Sequence, residues 1–403
     1  MSSLATLWKI RNFRTLFAAR IISNLGNGMA PTALAFGILS LAGATASSLS
    51  LVLAVQSFSL VVMLPFGGVW ADRIGRVRVI AASDIVLGSL ITVQALLFLT
   101  HRATVPILVP FALVFGVLNA LWYPAFPGLV PAAVPAENMQ SANSVISAGS
   151  SAANIGGAAV AGVLVVTFGA GWAMAFDALT FIVAGILVWT LRHLSPPEHT
   201  GESTWADLKT GWGEFRQNRW VFVVVVAFSF ILMGFQGTYG VLGPVLMKNH
   251  FDGARSWALV ATIESIGFLV GALVALRVRP KHPVRIAMLA MLTFPIFAVS
   301  LAIPMNLALI AACAFACGLG TEIFQVLWIT ALQKHVPPQA LSRVSSYDAF
   351  GSLLFGPIGM ALAGPASLAF GLGPALYAAA ALMMVAVLAG LLHPAVWRLS
   401  DRM

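Results

Sequence analysis

Six polar residues set in apolar surroundings have the types and spacing that could do chemistry. Glu322 stands in GLGTEIFQVLW and Glu264 in ATIESIGF, both deep in long apolar runs and without a base beside them. A carboxyl that is neutral in one state and charged in another is what proton exchange requires. Arg20, Asn24 and Asn27 follow one another at helical spacing and form one polar stripe, expected to face a cavity. Arg20 suits an anionic solute group or an acid across that cavity, and equally suits snorkelling to an interface. Asp84 is its candidate partner, with Arg76 as the other choice. Asp177 and Asp348 read as helix-start or hydrogen-bonding residues. For every one of these acids the plainer alternative is a polar side chain bonded between helices.

Aromatic residues cluster with amides. Trp122, Tyr123 and Phe126 form one group, Phe235, Gln236 and Tyr239 a second, Phe324, Gln325 and Trp328 a third. As a set they suit an amphipathic ligand; singly, each also suits packing or an interfacial belt.

The elements that must position these groups follow from composition. The chain has 403 residues, 60% hydrophobic and 9% charged, with mean hydropathy +0.94. A soluble domain carries about 25% charged residues. Apolar windows of about 20 residues recur throughout, each enough to cross ~30 Å of hydrocarbon as a helix. A membrane β-barrel would instead alternate over ~10-residue segments. The fold class expected is an all-α integral membrane protein with twelve spans, over 14–41, 47–70, 78–100, 104–130, 141–167, 172–192, 220–247, 256–278, 284–303, 306–333, 342–368 and 372–395.

Charge sets the orientation. Of 22 Lys and Arg, 18 fall on the side of the termini and three (Arg102, Lys248 and Arg255) on the other, with Arg20 inside the first span. Positive charge stays cytoplasmic, so both termini are expected inside the cell. The net charge of +9 is thereby topogenic, and nucleic acid is not an expected partner. Cys313 and Cys317 share an apolar run and read as packing residues. No Walker loop, Gly-x-Ser-x-Gly or His-Glu-x-x-His is present. Neither enzymatic activity, a cofactor nor a metal site is expected.

The longest polar stretch, 193–219, divides the chain into 1–192 and 220–403, six spans each. Its end, 205–219, has the composition of an amphipathic surface helix. VPAENMQSANS at 134–144 is echoed by VPPQALSRVSS at 336–346. The same shift of 202 residues relates Gly116 to Gly318, Gly157 to Gly359, Ala161 to Ala363 and Gly162 to Gly364. The halves therefore read as a parallel duplication.

Between spans two and three stands GVWADRIGRVR, 68–78. Gly68 permits close helix approach, Gly75 a sharp reversal, and Asp72 either a pairing with Arg76 or a place at a helix N-terminus. With twelve spans divided six and six, this stretch resembles the signature of the major facilitator superfamily, matched at Gly68, Asp72, Arg73, Gly75, Arg76 and Arg78. The resemblance covers nearly the whole chain. It implies two pseudo-symmetric six-helix bundles and a cytoplasmic gate built from Gly68, Asp72, Arg73, Gly75 and Arg76. The equivalent turn in the second half, LRVRPKHPVR, has lost the acid and the glycine and reads as topogenic.

RNFRTLFAARIISNLGNG, AENMQSANS and AFDALTFIVAG are similar to stretches of the drug, macrolide and siderophore exporters within that superfamily. Departures are clear. Asn27 stands where the subgroup has an aspartate, the fourth span has no arginine, and GSSAANIGGAAVAG lacks the Gly-Pro of the exporter motif. The resemblance implies a secondary transporter of the plasma membrane, active as a monomer in the lipid bilayer, exporting small amphipathic molecules in exchange for protons. The alternatives are an importer or uniporter of an organic solute or lipid, and a non-transporting sensor or scaffold on the same fold.

Overall fold

A computed structural model describes residues 7–126, 129–135, 138–194, 212–213, 215–275, 277, 280–303 and 306–398; side chains at 65, 67–69, 71–72, 123–124, 140, 338–343 and 346 are outside the description. Every regular element among the described residues is helical. In hydrocarbon each backbone N–H and C=O must be satisfied within its own segment, which leaves a helix as the solution for such apolar runs.

The helices are α1 Arg11–Leu39, α2 Ala46–Ile74, α3 Arg76–Leu99, α4 Val105–Ala125, α5 Met139–Phe168 and α6 Ala170–Trp189. Then come α7 Arg219–His250, α8 Ala254–Ala275, α9 Pro283–Ala302, α10 Leu307–His335, α11 Pro338–Leu353 with Gly356–Phe370, and α12 Leu372–Leu392. Eleven stretches among the described residues are long and apolar enough to cross a membrane by length and composition. The exception is α1. Its 29 residues suffice in length, and it is Arg20, Ser23, Asn24 and Asn27 that lower its hydropathy.

Contacts divide the chain into two compact units, Met1–Ala44 with Val55–Gly201, and Thr45–Ala54 with Glu202–Met403. In the first, α1 packs on α5 and α6, and α3 on α6. In the second, α7 packs on α11 and α12, and α9 on α12. The pairings are the same, six helices later.

Close approach is made by glycines, because packing without a hydrophobic driving force between helices rewards small residues. A Cβ on Gly157 of α5 would lie 2.1 Å from the Leu25 carbonyl oxygen of α1, and one on Gly359 of α11 would lie 1.8 Å from the Met233 carbonyl oxygen of α7. A Cβ on Gly116 of α4 would meet the Gln56 carbonyl of α2 at 2.1 Å, and one on Gly318 of α10 the Glu264 carbonyl of α8, also at 2.1 Å. The glycines of each pair are 202 apart, as their sequence match requires, whereas their partners, Leu25 and Met233 or Gln56 and Glu264, are 208 apart. The six residues are lost around α9, which has 20 residues against 24 in α3.

The joints follow the repeat too. Gly169 between α5 and α6 has φ 89°, and Gly371 between α11 and α12 has φ 94°, a region closed to most L-residues. Gly75, which reverses the chain from α2 into α3, has φ 99°, as its place in the charged turn predicts. Its counterpart 208 residues on is Pro283, the first residue of α9. The α1–α2 turn carries Gly43 at φ 71°, with open space where a side chain would be.

Candidate functional sites in the two units

In the first unit, the polar face of α1 meets α3, α4 and α5. The Arg20 guanidinium carbon lies 4.6 Å from the Trp122 ring centroid and 4.4 Å from that of Phe126. The two rings are stacked on each other, one helical turn apart along the chain, 5.1 Å between centroids. A planar, weakly hydrated guanidinium is well suited to such a surface. Its charge also acts on Asp84 of α3, which is 2% exposed. Asn24 donates from Nδ2 to the Arg20 carbonyl at 2.9 Å and to the Ser150 hydroxyl of α5 at 3.0 Å. Asn27 is exposed and Asn24 buried, so the stripe is split between a packed end and an open one.

The second unit holds a buried acid of a different kind. Glu264 of α8 is 4% exposed and accepts a hydrogen bond from the Tyr239 hydroxyl. Tyr239 sits in a π-helical turn, Thr238–Leu242, within α7. One residue is inserted into the α-helical ladder there, a distortion that recurs at functional positions. The turn brings the Tyr239 ring within 4.9 Å of Trp257 and 5.3 Å of Phe235, and Phe235 within 4.6 Å of Phe294. Gly318 lets α10 press on the Glu264 backbone, and the buried Cys317 stands beside the acid.

The other sequence candidates are dispersed. Glu322 is half-buried on α10; its Cβ lies opposite Gly271, where an added Cβ would come within 2.9 Å. Gln325 is exposed. Gln236 lies against Gly356. Trp328 is 3% exposed; its indole N–H donates to Asp348 Oδ2 at 2.8 Å, and its ring packs with Trp220 and Phe324. It belongs to a packed aromatic column, apart from the Tyr239 cluster. Asp348 also accepts from Ser352, the hydrogen-bonding role expected of it.

Of the two roles expected of Asp177, helix start or hydrogen bonding, the first does not hold. Asp177 lies two turns into α6 and is 3% exposed. The cation–aromatic pairing of Arg20 with Phe126, and the equivalence of Gln56 to Glu264, also escape the sequence. The second is visible only once the 208-residue offset is known. Of the gate residues, Gly75 is buried, Arg73 exposed and Arg76 half-buried. The side chains of Asp72 and Tyr123, and the surroundings of Gly68, lie outside the described residues, as does most of 205–219. Among the described residues no group of three or more His, Cys, Asp or Glu is disposed to hold a metal ion.

Two repeated helical units with buried polar clusters define a multi-pass membrane carrier. Residues 16–360 match the family model of the Major Facilitator Superfamily. The chain belongs to that superfamily, and it is a transporter of that fold. It is 24% identical over 360 residues to the uncharacterized MFS-type transporter YkuC of Bacillus subtilis (strain 168), covering 84% of this chain and 81% of that one. It is 23% identical over 370 residues to macrolide efflux protein A of Streptococcus pyogenes, covering 88% and 89%. The crystal structure of the nucleoside transporter NupG superposes with TM-score 0.74 at 14% identity, covering 97% of this chain and 100% of that one. That likeness is one of fold.

Proposed function

We propose that this transporter exports small amphipathic organic compounds in exchange for protons, by alternating access across the plasma membrane with both termini inside. The observation that carries the proposal is the buried Glu264 carboxyl, held by Tyr239 within a wall of Phe235, Trp257 and Phe294. A membrane acid is costly, by roughly 2.5–3.5 kcal/mol on insertion scales, and marks a functional position by default. Similarity to a macrolide efflux protein along most of both chains supports export and the class of solute.

Glu264 is the principal coupling acid in this reading and Glu322, half-buried on α10, the second. Arg20 with Asp84, Asn24 and Asn27 forms the polar wall of the first unit. Trp122, Tyr123, Gln236, Tyr239 and Gln325 are the aromatic and amide candidates for solute contact, and Trp328, packed against Trp220 and Phe324, belongs to the aromatic column instead. Gly68, Asp72, Arg73, Gly75 and Arg76 form the cytoplasmic gate.

The test uses inverted vesicles and a macrolide. An acid-inside gradient drives uptake by the wild type. Glu264→Gln reduces that uptake to the level left by an uncoupler, and solute counterflow without a gradient persists. Unchanged gradient-driven uptake in the variant would remove Glu264 from the mechanism. A wild type indifferent to the gradient would remove proton exchange itself.

A further inference from the structure

The seam between α1 and α6 holds a carboxyl that the mechanism above leaves unused. Asp177 is buried, and its Oδ1 has no hydrogen-bond partner among the described residues. The hydroxyl of Thr180 donates its proton to the Asp177 main-chain carbonyl at 2.7 Å. Both side chains press on Gly26 of α1: a Cβ there would lie 2.1 Å from Thr180 Oγ1 and 2.2 Å from Asp177 Oδ1.

The repeat provides an internal control. Gly26 corresponds to Gly234, 208 residues on, and Asp177 to Ala379, 202 residues on. Gly234 of α7 packs on α12 in the same manner, with the Ala379 carbonyl 3.0 Å and Met383 Cγ 2.6 Å from the place of its Cβ. The same seam therefore closes with an alanine where the first unit has an acid. Packing calls for the glycine and not for the carboxyl. The reverse holds at the other acid: Glu264 corresponds to Gln56, and both backbones seat a glycine of the neighbouring helix. Each unit thus carries a buried acid at a place where its twin has none.

The charged groups around Asp177 are few. From α1 comes Arg20, six residues before Gly26 and engaged with Trp122 and Phe126. From α3 comes Asp84, one turn from Gly88, which packs on Ala178. α5 carries no titratable residue over 139–168, and α6 itself carries no other. An ionised carboxylate in this seam has no donor at Oδ1 to offset its desolvation.

We propose that Asp177 is a proton-binding site of the first unit, so that each half of the transporter holds an exchangeable proton. The use of that proton in transport rests on the exchange reading above; its presence does not, and the two are tested separately.

Infrared difference spectra of the full-length protein in lipid nanodiscs, wild type minus Asp177→Asn, are expected to show the carbonyl stretch of a protonated carboxylic acid at neutral pH. That band should diminish when solute is added. Ionised-carboxylate bands in its place, or a band that never responds to pH or solute, would overturn the proposal. In proteoliposomes the reversal potential should report about one proton fewer per solute for Asp177→Asn than for the wild type; an unchanged ratio also overturns it. Asp177→Ala, which copies the second unit, is expected to keep the thermal stability of the wild type. If neither variant folds, the acid is structural and the proposal fails. If the wild type moves no protons, the exchange reading fails, and the infrared band still decides whether Asp177 binds one.

Discussion

Glu264 and Tyr239 illustrate how a single side chain is placed by backbone far from it in sequence. The acid sits on a regular helix, and its donor is delivered by one extra residue in α7. Removing the donor leaves the acid in place with one hydrogen bond fewer, worth about 1 kcal/mol. Tyr239→Phe is therefore expected to fold normally and to slow proton-driven transport by roughly fivefold; initial rates of gradient-driven uptake in inverted vesicles check it. Arg20 was legible in the sequence as a charge that lipid would reject, and Asp84 as an acid for either Arg20 or Arg76; the structure puts Asp84 within the influence of Arg20's charge. The Phe126 ring was not, because a cation over an aromatic face depends on tertiary placement. The helix-start alternative for Asp177 fails for a definite reason. A boundary set by hydropathy starts the sixth span near 172, whereas Gly169 starts α6 at 170 and carries the acid deeper.

At the scale of elements, the crossings are set by where a Cβ is missing. Gly156 and Gly157 are neighbours on α5 with opposite surroundings. A Cβ on Gly157 would lie 2.1 Å from backbone of α1, whereas one on Gly156 would meet nothing nearer than Leu25 Cδ1 at 3.6 Å. Gly157→Ala is expected to lower the unfolding temperature in detergent, with a cost of about 1–3 kcal/mol for overpacking. Gly156→Ala is expected to be neutral or stabilising by up to about 1 kcal/mol, since it removes glycine's excess freedom in the unfolded chain. Equal effects would refute the α1–α5 seam. Helices were readable because ~20 apolar residues leave little choice in a membrane. Their facing was not, because runs of Ala, Gly and Leu have no polar side to give them a phase. The π-helical turn in α7 also left no mark, since TYGVL differs from its flanks in nothing that periodicity detects.

Across the whole molecule, duplication is the organising fact. The 202-residue shift found in the later helices of each half was readable from a few glycines and a shared VP segment. The 208-residue shift of the earlier helices was not, because their side chains have diverged and only their contacts preserve it. With both offsets known, the two units become controls for each other. Acids present in one and absent from its twin are not required by packing, as with Asp177 against Ala379 and Glu264 against Gln56.

The short α1–α2 turn has a practical use. Gly43 has a left-handed backbone and empty space about it, so a peptide added after it meets no neighbour. A short epitope inserted there becomes a reporter of sidedness. On the proposed topology, with both termini in the cytoplasm, antibody should stain intact cells bearing that insertion without permeabilisation, and a tag on either terminus should stain only after it. Staining in the opposite order would invert the topology and place the GVWADRIGRVR turn on the outer face of the membrane.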